Sequence, residues 1–331
     1  MVQENTWFKC DDRTKLYLHR WKPVSPTNEK PIAVLHIVHG MAEHGGRYGR
    51  LAEKLCSAGI EVWAADQRGH GKTADLSVNA PGSGGLLGYS ADKNTFDKVT
   101  ADIHSLNKEI KNKLPGVPLF LLGHSWGSFI AQNYIETHFE SKDIDGCILS
   151  GTSGPGGFKV KAGKVFMSLL AAFGKRRKSP LAKALADGPY NNAFRPNRTP
   201  FDWLSRDEAE VDAYCRDPLC GNLCSVGFYR DLAKGLYEIH RDEAMAKIRK
   251  CLPMYVFCGN TDPVGDMGAG PALLVSRYRS IGVQDIEFVL YPGARHELLN
   301  ETNREEVIDN LLSWILRHAA SEQTINSTEK D

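Results

Sequence analysis

The chain has 331 residues, with 41 Lys and Arg against 40 Asp and Glu, and hydrophobic and charged fractions of 42% and 24%. This balance supplies no field for holding nucleic acid, and no apolar run approaches the roughly twenty residues that span a bilayer. Eight cysteines in a chain this long do not make a disulfide framework, which leaves an ordinary globular protein long enough for one large domain with an insertion.

The opening Met1-Val2-Gln3-Glu4-Asn5 is polar and lacks the pattern of a secretory signal, so a cytoplasmic or peripherally membrane-associated location is expected. Lys15–Trp21 alternates as an early strand, with Asp11-Asp12-Arg13 as a hairpin turn before it. Ile32–Val38 is a continuous apolar strand ending at His39-Gly40. Tyr48–Ala58 has helical spacing and stops at Gly59, and Ile60–Ala65 is the next buried strand. Phe96–Leu114 is an amphipathic helix through Val99, Ile103, Leu106 and Ile110, ended by Pro115-Gly116. A strand at Leu119–Leu122 runs into Gly123-His124-Ser125-Trp126-Gly127, a helical pattern follows, and Cys147–Leu149 is another strand. Later, Met254–Cys258 and Ile286–Leu290 read as strands, and Val307–Ile315 begins the last helix. Strands that are apolar throughout, alternating with helices, predict an α/β fold with a doubly wound, mostly parallel sheet.

Residues from Ser153 to about Tyr237 break the alternation. They hold Gly154-Pro155-Gly156-Gly157, an apolar helical stretch Val165–Phe173 and the basic run Lys175-Arg176-Arg177-Lys178. The expected division is a core of 1–152 and 238–320, a helical cap over 153–237 and a disordered polar tail over 321–331. Cys215, Cys220 and Cys224 lack C-x-x-C spacing and have no histidine close in the sequence, so no metal is expected there.

Gly-x-Ser-x-Gly between a strand and a helix is the context in which a serine is forced onto a tight turn as an exposed nucleophile. Such a serine needs a base, and the base an orienting acid. In this fold class they follow in the order Ser, Asp or Glu, His. Asp262 lies in the loop after Met254–Cys258, within Gly259-Asn260-Thr261-Asp262-Pro263-Val264, with Asp266 as its rival. His296 lies after Ile286–Leu290, in Tyr291-Pro292-Gly293-Ala294-Arg295-His296-Glu297. The backbone N–H groups of Trp126 and of Met41, in the loop after Ile32–Val38, are the expected oxyanion donors. Gly40, His124 and Val264 flank these positions and are expected to contact substrate. No cofactor is expected.

These residues resemble the monoacylglycerol lipase and lysophospholipase family of α/β hydrolases. The landmarks are His39-Gly40 with Glu43-His44-Gly45-Gly46-Arg47-Tyr48, Asp66-Gln67-Arg68-Gly69-His70-Gly71, Gly123 through Gly127, Gly259 through Val264 and Tyr291 through His296. The resemblance covers the core, about residues 7–150 and 240–318. It implies Ser125, Asp262 and His296 as nucleophile, acid and base, with Met41 and Trp126 at the oxyanion. Two positions depart from the family: Trp126 replaces its usual methionine and Ser128 a second glycine. Proline iminopeptidase-like and thioesterase-like relatives share the core pattern. An aminopeptidase would want an acidic pair in the cap, for which Glu208 and Glu210 are the candidates, and a non-catalytic binding protein would lack a catalytic position, which this chain does not. The expected function is hydrolysis of a lipid-like acyl ester through an acyl-serine intermediate. The apolar Val165–Phe173 helix, flanked by Lys159, Lys161, Lys164 and the Lys175–Lys178 run, is expected to meet a lipid interface.

Overall fold

The computed structural model describes residues 1–24, 30–172, 174–186 and 188–328, excepting the side chains of 157–164, 186 and 321–328. Among these, eight strands form one sheet: β1 (Val2–Lys9), β2 (Lys15–Lys22), β3 (Ala33–Val38), β4 (Ile60–Ala65), β5 (Leu119–His124), β6 (Gly146–Ser150), β7 (Met254–Gly259) and β8 (Ile286–Tyr291). Their order is β1-β2-β4-β3-β5-β6-β7-β8. The β1/β2 and β2/β4 pairs are antiparallel and every other pair is parallel.

The five inner strands β3 to β7 are buried along their whole length, because helices cover both faces. Successive residues serve opposite faces. Val34, Leu119, Leu121, Cys147, Leu149 and Val256 pack against helices α2 (Thr95–Lys113), α3 (Trp126–Thr137) and a later helix, Ala269–Ser280. Leu35, Ile37, Phe120, Leu122, Ile148, Tyr255 and Phe257 pack against α1 (Gly49–Ser57) and the C-terminal helix Arg304–Thr328.

Uniform apolarity fails at the sheet edges. β8 is half-buried, and β1, exposed apart from a half-buried Phe8, pairs only with β2. With no buried face, β1 carries no period-two signal. Helix Ala269–Ser280 was also invisible from the sequence, since Gly268-Ala269-Gly270-Pro271 masks its start and it buries only one narrow stripe.

Between β6 and β7 the chain runs through α4 (Gly157–Ala172), α5 (Pro180–Ala186), α6 (Glu208–Arg216), α7 (Val226–Glu238) and α8 (Asp242–Met245); α9 (Ala269–Ser280) and α10 (Arg304–Thr328) follow. The backbone of α10 is helical past Ser321, where a tail was expected to begin, and Phe173 and residues 329–331 lie outside the described residues.

From β3 the chain first builds outward to β4, then crosses to the other side of β3 to form β5. This reversal opens a crevice at the carboxyl ends of β3 and β5. His39-Gly40 and Ser125 sit there.

Candidate active site

The turn after β5 holds Ser125 at φ 52° and ψ −120°. A non-glycine residue in that half of the map is strained by about 1–3 kcal/mol and persists only when its surroundings fix it. Here the Ser125 N–H donates to Ser150 O (2.9 Å), and its carbonyl accepts from the Ser128 N–H (2.8 Å) and Ser128 Oγ (2.6 Å). A Cβ built on Gly127 would overlap the Val38 carbonyl oxygen, and one on Gly123 that of Gly127. Both glycines are therefore bare for packing reasons. Ser128, the departure from glycine, also accepts a hydrogen bond from the Thr152 hydroxyl (Oγ to Oγ1 2.8 Å) and tightens the same turn.

Asp262 and His296 come together from the loops after β7 and β8. Asp262 Oδ2 lies 2.9 Å from His296 Nδ1, with both side chains buried. The Val264 N–H donates to Asp262 Oδ1 (2.9 Å) and fixes the carboxylate. Asp266, the rival acid, is exposed. Burial alone would push the His296 imidazole down, but the Asp262 carboxylate, helped by Glu297 and Glu43, holds it above its ordinary value of 6.5. The His124 ring lies 4.9 Å from that of His296, tilted by 45°, and burial with that neighbour pushes it down to about 4, so it is neutral. Among the described residues Ser125 Oγ has no hydrogen-bond partner; Ser125 and His296 line one cavity.

A buried ion-pair chain lies under that cavity. The Gly40 N–H donates to Glu43 Oε1 (2.5 Å), and Arg47 bridges Glu43 (2.8 Å) and Glu297 (2.7 and 2.8 Å). Tyr48 donates its hydroxyl to the same Glu43 oxygen at 3.0 Å. Burial opposes charge on both carboxylates, yet the Arg47 guanidinium holds both below the usual range. The chain thus ties the loop after β3 to the residue following His296. The insertion grips the same loops: Tyr214 Oη and the Gly221 N–H both donate to Ala42 O (2.9 Å each), and the Trp203 and Leu204 carbonyls accept from His296 and Glu297.

The cavity is open to solvent and, with its mouth included, measures about 480 Å³. Of the expected residues, Gly40, Met41, His124, Ser125 and His296 line it. Asp262 stands behind His296, and the Trp126 side chain is buried in the core. Val264 does not line the cavity: its backbone serves the Asp262 carboxylate instead. Sequence reasoning missed Glu43, Arg47 and Glu297 as a set, although opposite charges at i and i+4 in Glu43-His44-Gly45-Gly46-Arg47 were a visible cue. It also missed Trp203, whose ring lies 5.0 Å from His296. Glu208 and Glu210 do not line the cavity; they pair with Arg198 and Arg50.

Among the described residues two groups could hold a metal ion, His19 with His44 and Asp66, and His44 with Asp217 and Cys220. Folding thus brings a histidine to Cys220 that the sequence did not place near it. Each group already contains a hydrogen-bonded pair, His19 Nε2 to Asp66 (3.1 Å) and His44 Nε2 to Asp217 (3.0 Å). No helix among the described residues is long and apolar enough to cross a membrane.

The sequence model of the family described as serine aminopeptidase, S33 matches residues 29–303. A monoacylglycerol lipase of Mycolicibacterium smegmatis is 30% identical over 300 residues, 90% of this chain and 91% of that one. The Homo sapiens monoglyceride lipase is 30% identical over 325 residues, covering 95% and 90%. A thermostable carboxyl esterase from Bacillus coagulans, solved with glycerol, superposes with a TM-score of 0.85 at 28% identity, over 96% of this chain and 99% of that one.

Proposed function

Because the chain belongs to the serine aminopeptidase S33 family, in the monoacylglycerol lipase and lysophospholipase group of α/β hydrolases, we propose that it cleaves single-acyl lipid esters through an acyl-enzyme on Ser125. The observation that carries this reading is the buried Asp262–His296 pair at 2.9 Å, facing a cavity that Ser125 also lines. In the proposed cycle His296 Nε2 accepts the Ser125 hydroxyl proton as Oγ attacks the ester carbonyl carbon. Asp262 keeps the proton on Nδ1 and stabilises the imidazolium that forms. The N–H groups of Met41 and Trp126 receive the developing oxyanion, and a donor of this kind is worth about 2.7–4 kcal/mol. The imidazolium returns its proton to the departing alcohol. Water, deprotonated by His296, then attacks the acyl-serine and releases the fatty acid.

The amphiphilic substrate class fits a surface feature. Val165, Phe166 and Leu169 are exposed within little more than one turn of α4, apolar surface of the kind that marks contact sites, and Leu181 and Leu185 of α5 are exposed as well. We read residues 153–237 as a cap whose α4 meets a lipid surface. Lys175 and Arg176, expected as headgroup anchors, instead pair with Asp92; the side chains of Lys159, Lys161 and Lys164 lie outside the described residues. Phe166→Asp should lower co-sedimentation with liposomes and activity on vesicles, and unchanged values for both would remove the membrane reading.

A fluorophosphonate probe tests the chemistry. It should label the wild type and fail on Ser125→Ala; an unlabelled wild type would defeat the hydrolase reading. Monoacylglycerol, lysophospholipid and p-nitrophenyl ester substrates assayed side by side then assign the head group.

A further inference from the structure

We propose that Trp203 is a positioning residue for His296: a segment of the insertion, bonded to the histidine loop, holds the indole against the imidazole and keeps that ring turned to Ser125. The proposal rests on the reading of His296 as the base. Residues 202–206 run alongside the loop that carries His296. The Trp203 and Leu204 carbonyls accept from the His296 and Glu297 N–H groups (3.4 and 2.7 Å). The Arg295 guanidinium donates to the Asp202 and Ser205 carbonyls, and Ser205 Oγ donates to Asn300 O (2.8 Å). Arg206 donates its N–H and Nε to the Glu301 carboxylate (3.1 and 2.9 Å). From its other side the segment is braced by the buried Asp202 carboxylate, which accepts from the Arg198 and Thr199 N–H groups (2.6 and 3.0 Å).

Trp203 is the point at which this attachment reaches the chemistry. Its half-buried ring lines the cavity and lies 5.0 Å from the His296 ring, tilted by 40°. Its own place is fixed by the Tyr190 ring, 5.1 Å away, and by its N–H, which donates to Asn191 Oδ1 (3.0 Å). Asp262 anchors His296 at one nitrogen, Nδ1, and a single hydrogen bond leaves the imidazole able to tilt about it. Two rings limit that tilt: His124 from the end of β5, at 4.9 Å, and Trp203 from the insertion. Both distances fall in the range where tilted aromatic pairs attract. Phe201 and Tyr214 line the cavity too, but they pack on one another (5.0 Å) rather than on His296. A base turned away from the hydroxyl transfers its proton poorly, because misplacement of about 1 Å can cost on the order of 100-fold in rate.

The measurement is kcat and KM on two esters, p-nitrophenyl acetate and p-nitrophenyl laurate, for the wild type and three variants. Trp203→Leu keeps an apolar side chain but no ring, and should lower kcat about tenfold, the upper end of what an aromatic pair contributes. The loss should be alike on both esters, with KM little changed. Trp203→Phe restores a ring and should recover most of kcat. Asn191→Ala loosens the segment from a position that does not line the cavity, and should lower kcat in the same direction by less. Three results overturn the proposal: a raised KM at unchanged kcat, a loss confined to the laurate, or Trp203→Leu as active as Trp203→Phe. Where Trp203→Leu does not fold, an unchanged kcat in Asn191→Ala overturns it. A wild type inactive on both esters and unlabelled by a fluorophosphonate would instead overturn the hydrolase reading.

Discussion

Replacing Arg47 with methionine tests the buried charge chain beneath the cavity. Arg47 is mostly buried and contacts two buried carboxylates, its near neighbour Glu43 and Glu297, which is 250 residues from Arg47 in sequence. Removing one partner of a buried pair costs about 3–5 kcal/mol, because an uncompensated charge remains inside. Neither carboxylate would be stripped bare: Glu43 keeps the Gly40 N–H and Tyr48 hydroxyl, and Glu297 keeps Asn300 Nδ2 at 3.0 Å. The expected loss at neutral pH is therefore about 3 kcal/mol, the lower end of that range. Its pH dependence identifies the cause. In the wild type both carboxyls are held below their ordinary value of 4.5, so they contribute stability above that value and lose it as pH falls through the folded-state values. Without Arg47, burial is left as the main influence and raises both, so the penalty is full at neutral pH and shrinks as acid neutralises them. Urea unfolding at about pH 8 and about pH 5 should give a difference from wild type that is clearly smaller at the lower pH. The triple change Glu43→Gln, Arg47→Met, Glu297→Gln should recover most of the loss, since it leaves no buried charge. A loss below about 1 kcal/mol, or one equal at both pH values, would refute the argument.

With His296 held above 6.5 by Asp262, kcat/KM should fall on the acid side through a midpoint above 6.5, since the base must be neutral; Asp262→Asn should lower both activity and that midpoint, and an unmoved midpoint would separate the limb from His296. Ser125→Gly should abolish phosphonate labelling while exceeding Ser125→Ala in stability by about 1 kcal/mol in urea unfolding, because glycine relieves the φ of 52°. Gly127→Ala should lose labelling along with cooperative unfolding or native circular dichroism, as its Cβ meets the Val38 carbonyl; a folded, labelled variant would show that the turn has slack.

What the sequence made legible was what depends on near neighbours. The inner strands announced themselves because burial on both faces demands unbroken apolar runs, and β1 did not because it has no buried face. Ser125 was readable from two glycines whose need is local. His296 was readable as the histidine between the last strand and the last helix. The choice of Asp262 over Asp266 was open, and only folding separates the two: the first is sealed behind His296 and the second faces solvent. Val264, expected to contact substrate, lies off the cavity with its N–H on Asp262, because strand-end loops carry both cavity-lining residues and the backbone donors that support them. One-dimensional order does not say which is which.

The pairings that fix the geometry are of the illegible kind. Glu43 holds the Gly40 N–H, and Arg47 reaches from Glu43 to Glu297, beside His296. Met41 follows Gly40 and the insertion grips Ala42, so both sides of the expected oxyanion donor are fixed by groups from other parts of the chain. The strained Ser125 needs this. A tight turn can hold a hydroxyl at an unusual φ, but it cannot set that hydroxyl's distance to the loop that follows the neighbouring strand β3. Buried ion pairs cost desolvation and add little net stability when replaced by apolar groups, so a chain of them under a reactive cavity is better explained by register than by stability. On that argument the neutral triple variant, although stable, should position the Met41 N–H less well and lose kcat more than KM. Proteins of equal kcat would show that the apolar contacts alone hold the loops in place.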